Sequence, residues 1–135
     1  MKQLRSIFLL GTFALLLFGC SKDEEFSILG KWNIDKITMS YYQGSTLVQT
    51  MSQVDSPDND LGWVEFKDGG TGSDNEGGTF TWTLSGSNLT VVTDNETLAL
   101  KLTTKEKKKL VGEATETINE GEATYTLKTV IELSR

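Results

Sequence analysis

Few side chains in this sequence of 135 residues can do covalent chemistry. There is no histidine and one cysteine, Cys20, so the commonest general base is missing and one thiol is the best nucleophile on offer. Cys20 ends the run Leu17-Phe18-Gly19-Cys20 and is followed at once by Ser21-Lys22-Asp23-Glu24-Glu25. A thiol placed there suits alkylation by a diacylglycerol group, with Gly19 as the small residue a signal peptidase needs before the cut. Lipidation would consume the thiol and leave no disulfide even in an oxidising envelope. Carboxylates are plentiful, with 19 Asp and Glu, but no spacing sets two of them across a cleft. The residues therefore predict a protein that is not an enzyme and takes no cofactor.

The region before Cys20 has the parts of a processing signal. Lys2 and Arg5 form a positive start, and Ile7 to Phe18 form an apolar core of twelve residues. That core is shorter than the roughly 20 residues needed to cross a bilayer. Leu17-Phe18-Gly19-Cys20 resembles a bacterial lipoprotein box. The resemblance implies a signal peptide over residues 1–19 and acyl chains such as palmitate on Cys20, each buried CH₂ contributing about 0.8 kcal/mol to anchoring. An ordinary secretory signal with an incidental cysteine is the alternative. The acidic run after Cys20 resembles the export signal of Bacteroidetes-type surface lipoproteins, which implies an outer-membrane anchor exposed at the cell surface. A solvated linker on a periplasm-facing protein is the other reading. Loss of residues 1–19 leaves 116 residues and a net charge of −8, which suits one domain and repels nucleic acid.

Other chemistry-bearing clusters are fainter. Gly69-Gly70-Thr71-Gly72-Ser73-Asp74 matches the first positions of a calcium-binding nonapeptide repeat, but it occurs once and Glu76 stands where an apolar residue belongs. Asp55, Asp58 and Asp60 offer hard oxygens without EF-hand spacing. Both stretches read as mobile loops, and no metal site is expected. Tyr41, Tyr42 and Trp63 are candidates for an aromatic platform for sugars or peptides. Adjacent tyrosines in a strand point to opposite faces, so one should be accessible, while Trp63 is expected in the core. Lys105 to Lys109, with four lysines, reads as a solvated hairpin tip.

The elements that must position these residues are strands. The first, Trp32 to Tyr42, changes phase: Trp32 and Ile34 share one parity, while Ile37, Met39 and Tyr41 share the other. A β-bulge near Asp35-Lys36 would produce that slip and help a sheet to close. Further strands are expected over 45–54, 61–66, 79–84, 89–93, 97–103, 109–118 and 123–133. Phe80, Trp82 and Leu84 alternate with threonines in one of them. Leu98, Leu100 and Leu102 share a face in another, and Tyr125, Leu127, Ile131 and Leu133 in the last. Eight strands with mostly short connections predict an all-β fold, an eight-stranded antiparallel up-and-down barrel. The rival is a β-sandwich that uses the long loop Asp68 to Gly78 as its crossover.

Leu29-Gly30-Lys31-Trp32-Asn33-Ile34 resembles the Gly-x-Trp opening of lipocalins, and more closely that of lipocalin-like domains in small Bacteroidetes lipoproteins. Phe66-Lys67-Asp68-Gly69, Thr81-Trp82 and Ser85-Gly86-Ser87-Asn88-Leu89 extend the likeness. The resemblance implies a lipidated cysteine and acidic tether over 20–26 and a lipocalin-like barrel over 27–135. Trp32 would then plug one end of the barrel, with Gly30 letting the backbone pass closely. Two functions follow from it. In one, Phe66, Phe80, Trp82, Leu100 and Leu127 line an interior that holds a small apolar ligand. In the other, side chains fill the interior and the outer surface docks to another envelope protein.

Overall fold

A computed structural model describes residues 26–135, and all the regular structure among them is β. The expected signal peptide, the expected lipidation at Cys20 and nearly all of the expected acidic tether lie outside the described residues. Nine strands follow in order: β1 (Gly30–Gln43), β2 (Thr46–Val54), β3 (Trp63–Lys67), β4 (Thr71–Asp74), β5 (Thr79–Ser85), β6 (Asn88–Val92), β7 (Thr97–Lys105), β8 (Lys109–Glu120) and β9 (Ala123–Ser134). Every pairing is antiparallel, as short connections favour. β1 and β3 through β9 pair in sequence order, and β9 closes back onto β1. The result is a closed eight-stranded barrel with β2 as an extra strand, not a sandwich.

The expected bulge is present: the β1–β9 register shifts between Ile34 and Lys36. It carries the inward parity of Trp32 and Ile34 over to Ile37, Met39 and Tyr41. Two expectations need correction. The stretch from Asp68 to Gly78 is not one long loop, because it contains β4, paired with both β3 and β5. The second strand does not belong to the barrel, because β2 pairs only with the far half of β1. Eight barrel strands were the right number, but β4 stands where β2 was expected.

Apolar side chains pack against one another in the barrel interior. The Phe66 ring meets Phe80 edge-on at 5.5 Å and Trp82 edge-on at 5.6 Å between centroids, the geometry that aromatic quadrupoles favour. Leu89, Leu100, Leu102, Leu110 and Leu133 complete the buried core, with Trp32 at 0 % exposure. β4 contributes no side chain at Gly72. A Cβ there would lie 2.3 Å from the Phe80 ring, so that ring occupies the place a residue on β4 would fill. No polar side chain is buried among the described residues, and apolar burial is the main stabilising term.

Three barrel strands outgrow the barrel. β3 pairs with β1 only up to Asn33, and β7 pairs with β8 only up to Glu113. β1 and β9 continue together to Tyr42 and Thr126, and β8 and β9 to Glu120 and Ala123. With β2 on the outside, β2-β1-β9-β8 forms a four-stranded sheet projecting from one end. Its two faces differ by pleat. One continues the barrel interior and carries Ile37, Met39, Tyr41, Met51, Leu127 and Ile131. The other is polar, with Ser40 and Thr50 hydroxyls 3.2 Å apart, Ser52 Oγ donating to Thr38 Oγ1 at 3.4 Å, and Lys128 Nζ 3.3 Å from Glu113.

Candidate functional site

The far end of the projecting sheet holds a groove of about 350 Å³ lined by Tyr41, Val48, Gln49, Ile118, Glu120 and Tyr125. All four strands contribute. Tyr41 sits on β1 opposite Gln49, and Ile118 sits on β8 opposite Tyr125. The β1–β2 register shifts between Tyr41 and Tyr42, leaving Val48 as the extra residue. That bulge is why two consecutive residues, Val48 and Gln49, line one groove. Two tyrosine rings and two aliphatic side chains supply apolar walls. The phenol hydroxyls, the Gln49 amide and the Glu120 carboxylate supply orienting polar groups. The volume falls at the lower end of the roughly 300–1,000 Å³ typical of small-molecule sites. A second, larger depression of about 440 Å³ is walled by Phe80, Val92 and Gly72 together with threonines and the charged Lys67 and Asp94, a mixed lining.

The five residues proposed from the sequence to line a ligand cavity fall into two places. Phe66, Phe80 and Leu100 are buried together in the barrel, with Trp82 packed against them. Trp82 Nε1 donates to the Thr71 carbonyl at 2.8 Å. Leu127 stands apart, opposite Tyr41 and Glu116 on the projecting sheet and two residues from Tyr125 of the groove.

Gly30 and Trp32 sit at the other end. Trp32 Nε1 donates to the Ile28 carbonyl at 2.8 Å, so the ring's one polar atom is satisfied in full burial. The Arg135 guanidinium lies 4.0 Å over the Trp32 ring, a cation–π contact. Its Nη1, Nη2 and Nε donate to the carbonyls of Leu29, Ser27 and Lys107 at 2.7, 2.8 and 2.7 Å. Gly30 has φ +113°, and a Cβ there would sit 3.3 Å from Arg135 Nη1, so this position admits glycine on two counts. Arg135 escapes sequence reading because its carbonyl partners at Leu29 and Ser27 lie 106 and 108 residues away. The lysine-rich β7–β8 tip is part of the same closure, with Arg135 N also donating to Lys108 O at 3.2 Å.

Two other expectations change. Trp63 is not in the core. Val64 and Phe66 take the inward parity of β3, which turns Trp63 outward under Lys31, whose Nζ lies 3.9 Å from the ring centroid. Tyr41 and Tyr42 do point to opposite faces, and Tyr41 is the one in the groove. The acidic loops hold their own backbone. Asp74 Oδ1 accepts from the N–H groups of Glu76 and Gly78, Asp55 Oδ1 from Leu61 N–H, and Asp60 Oδ1 from Gly62 N–H. These are turn-capping bonds of the kind aspartate makes best. Among the described residues no group of three or more His, Cys, Asp or Glu is placed to hold a metal ion.

The geometry has to carry the functional reading alone, because no family model, no curated protein and no solved structure matches the chain.

Proposed function

We propose that this protein is a membrane-anchored, lipocalin-like lipoprotein that binds a small apolar ligand without catalysis, and that the ligand sits on the projecting sheet rather than inside the barrel. One observation carries the reading. The apolar face of the sheet continues the core out of the barrel and ends in the Tyr41–Tyr125 groove. The barrel interior is a poorer site, because Phe66, Phe80 and Trp82 already pack ring against ring within it. Phe26 enters at the Trp32 end, and β1 runs fourteen residues away from it. At about 3.3 Å per residue the groove stands roughly 40 Å from that entry. An anchor at Cys20 would hold the groove well clear of the bilayer, open to the aqueous side. Support for the anchor comes from Leu17-Phe18-Gly19-Cys20 and the acidic residues after it.

The test of the site uses the full chain and an environment-sensitive anilinonaphthalene probe. Saturable binding is expected, weakened about tenfold by Tyr41→Ala, the loss of one aromatic wall, and unchanged by Phe80→Leu. No saturable binding overturns the ligand reading. Weakening by Phe80→Leu with none by Tyr41→Ala overturns its placement. The anchor is tested separately, because Cys20→Ala should move the protein from the membrane to the soluble fraction. Continued membrane association of that variant would count against lipidation.

A further inference from the structure

We propose that β2 is a self-pairing edge, and that two copies of this chain join through it in antiparallel register about a two-fold axis at Met51. β2 pairs on one side only, with β1, and all nine of its residues are exposed. Its outer side therefore presents backbone N–H and C=O groups with no strand beside them, the template for strand addition, up to Val54, whose carbonyl accepts from Asn59 Nδ2 at 3.2 Å. Free edges are commonly guarded by lysine, proline or inward charge. This one is not. No charged residue and no proline occurs from Ile37 to Val54, in a chain whose residues are 24 % charged.

The sequence of the strand says which partner fits. Val48-Gln49-Thr50-Met51-Ser52-Gln53-Val54 reads the same in both directions, apart from exchange of the two hydroxyl residues. Outward-pointing N–H and C=O groups belong to alternate residues, so a strand can pair with its own copy only about an axis that passes through a residue. With the axis at Met51, each side chain meets its own kind. Gln49 faces Gln53 of the second copy, Thr50 faces Ser52, and Met51 faces Met51, while the bulge at Val48 ends the regular pairing beyond them. Thr–Ser hydroxyl pairs and matched apolar pairs are favourable cross-strand neighbours. Thr50 and Ser52 already form such a hydroxyl row with Ser40 and Thr38 on the polar face, and pairing extends it into the second copy. Met51 is 41 % exposed and would be covered by its own twin. The opposite free edge, β8 beyond Glu113, is unsuited to this, because Glu116 and Glu120 would oppose another acidic strand. Joined in this way, the two projecting sheets become one eight-stranded sheet with both apolar faces on the same side.

The experiment introduces Met51→Cys into the full chain with Cys20→Ser, followed by mild oxidation and non-reducing electrophoresis. Directly opposed antiparallel residues have Cα atoms about 4.5–5.5 Å apart, within disulfide range. A covalent dimer is therefore expected. Thr46→Cys in the same background should give none, because its twin would lie ten residues out of step, roughly 33 Å away. Sedimentation of the full chain should show a reversible dimer. Met51→Lys should weaken it at least about tenfold, since a charge at the axis meets its own like charge, with the circular dichroism spectrum unchanged. A monomer at every soluble concentration overturns the proposal. So does equal cross-linking at residues 46 and 51, or a dimer indifferent to Met51→Lys.

Discussion

Trp32→Ala is expected to remove about 3–5 kcal/mol of folding stability, the usual cost of emptying a buried aromatic site. Two features put Trp32 at the upper end of that range. Its ring is fully buried at the base of the barrel, and it is the platform on which the Arg135 guanidinium lies. Removing the ring leaves the Ile28 carbonyl without its indole donor and leaves Arg135 over a void. A domain of this size has only about 5–15 kcal/mol in total, so the variant should unfold at markedly lower urea concentration with an unchanged slope. Trp32→Phe keeps an aromatic ring but loses the 2.8 Å bond to Ile28, and should cost about 1–2 kcal/mol. If the alanine variant shifted by less than about 1 kcal/mol, the base could not be the closure described above.

Gly72→Val should be comparably damaging for the opposite reason, overfilling. The added Cβ would lie 2.3 Å from Phe80 Cε2 and Cζ and 2.6 Å from the Glu65 carbonyl oxygen. The ring already packs edge-on against Phe66, and the carbonyl belongs to the neighbouring strand, so neither yields cheaply. Overpacking of this kind costs about 1–3 kcal/mol for one methyl and more for a branched side chain. The diagnostic measurement is a double-mutant cycle with Gly72→Ala and Phe80→Leu, because a smaller side chain at 80 vacates the space the new methyl needs. The pair should be more stable than the sum of the single losses by at least about 1 kcal/mol. Strict additivity would mean that the glycine is required by the backbone and not by the ring.

How far the sequence discloses this fold depends on whether an element carries its own apolar period. β5, β7 and β9 do, and so does the phase slip of β1, which places its bulge at Asp35-Lys36 from parity alone. β4 does not. Thr71-Gly72-Ser73-Asp74 has no apolar residue, because the inward position is filled by a ring from the next strand. A strand whose core contribution is an absence leaves no pattern to read. β2 errs the other way. Its Leu47, Val48, Met51 and Val54 suggest a barrel strand, yet they are exposed by 52, 56, 41 and 54 %. Period reports which face a residue takes, and says nothing of how far along the sheet the neighbours stop. The same blindness placed Leu127 with the interior residues. It has the right parity, but β3 and β7 end before reaching it. The groove is legible in part, since adjacent Tyr41 and Tyr42 must diverge. Its other walls depend on a bulge at Val48 and on the pairing of β1 with β9, which sets Tyr41 of the first hairpin beside the last one and is not local in the sequence.

β1 runs the whole length of the molecule, with its start in the Trp32 closure and its end beside the groove. It is paired with β9 over Asn33 to Tyr42 and with β2 or β3 along its other side. Antiparallel hydrogen bonds lie perpendicular to the strands. A pull through the segment before Phe26, opposed by a grip on the projecting sheet, therefore runs along β1 and strains its cross-strand bonds together, in shear, rather than unzipping them one by one. The same strand that carries the groove away from the chain's entry point is the tension member of the molecule. Its resistance to stretching depends on direction: high along β1, and low for a force that peels β2 from its edge.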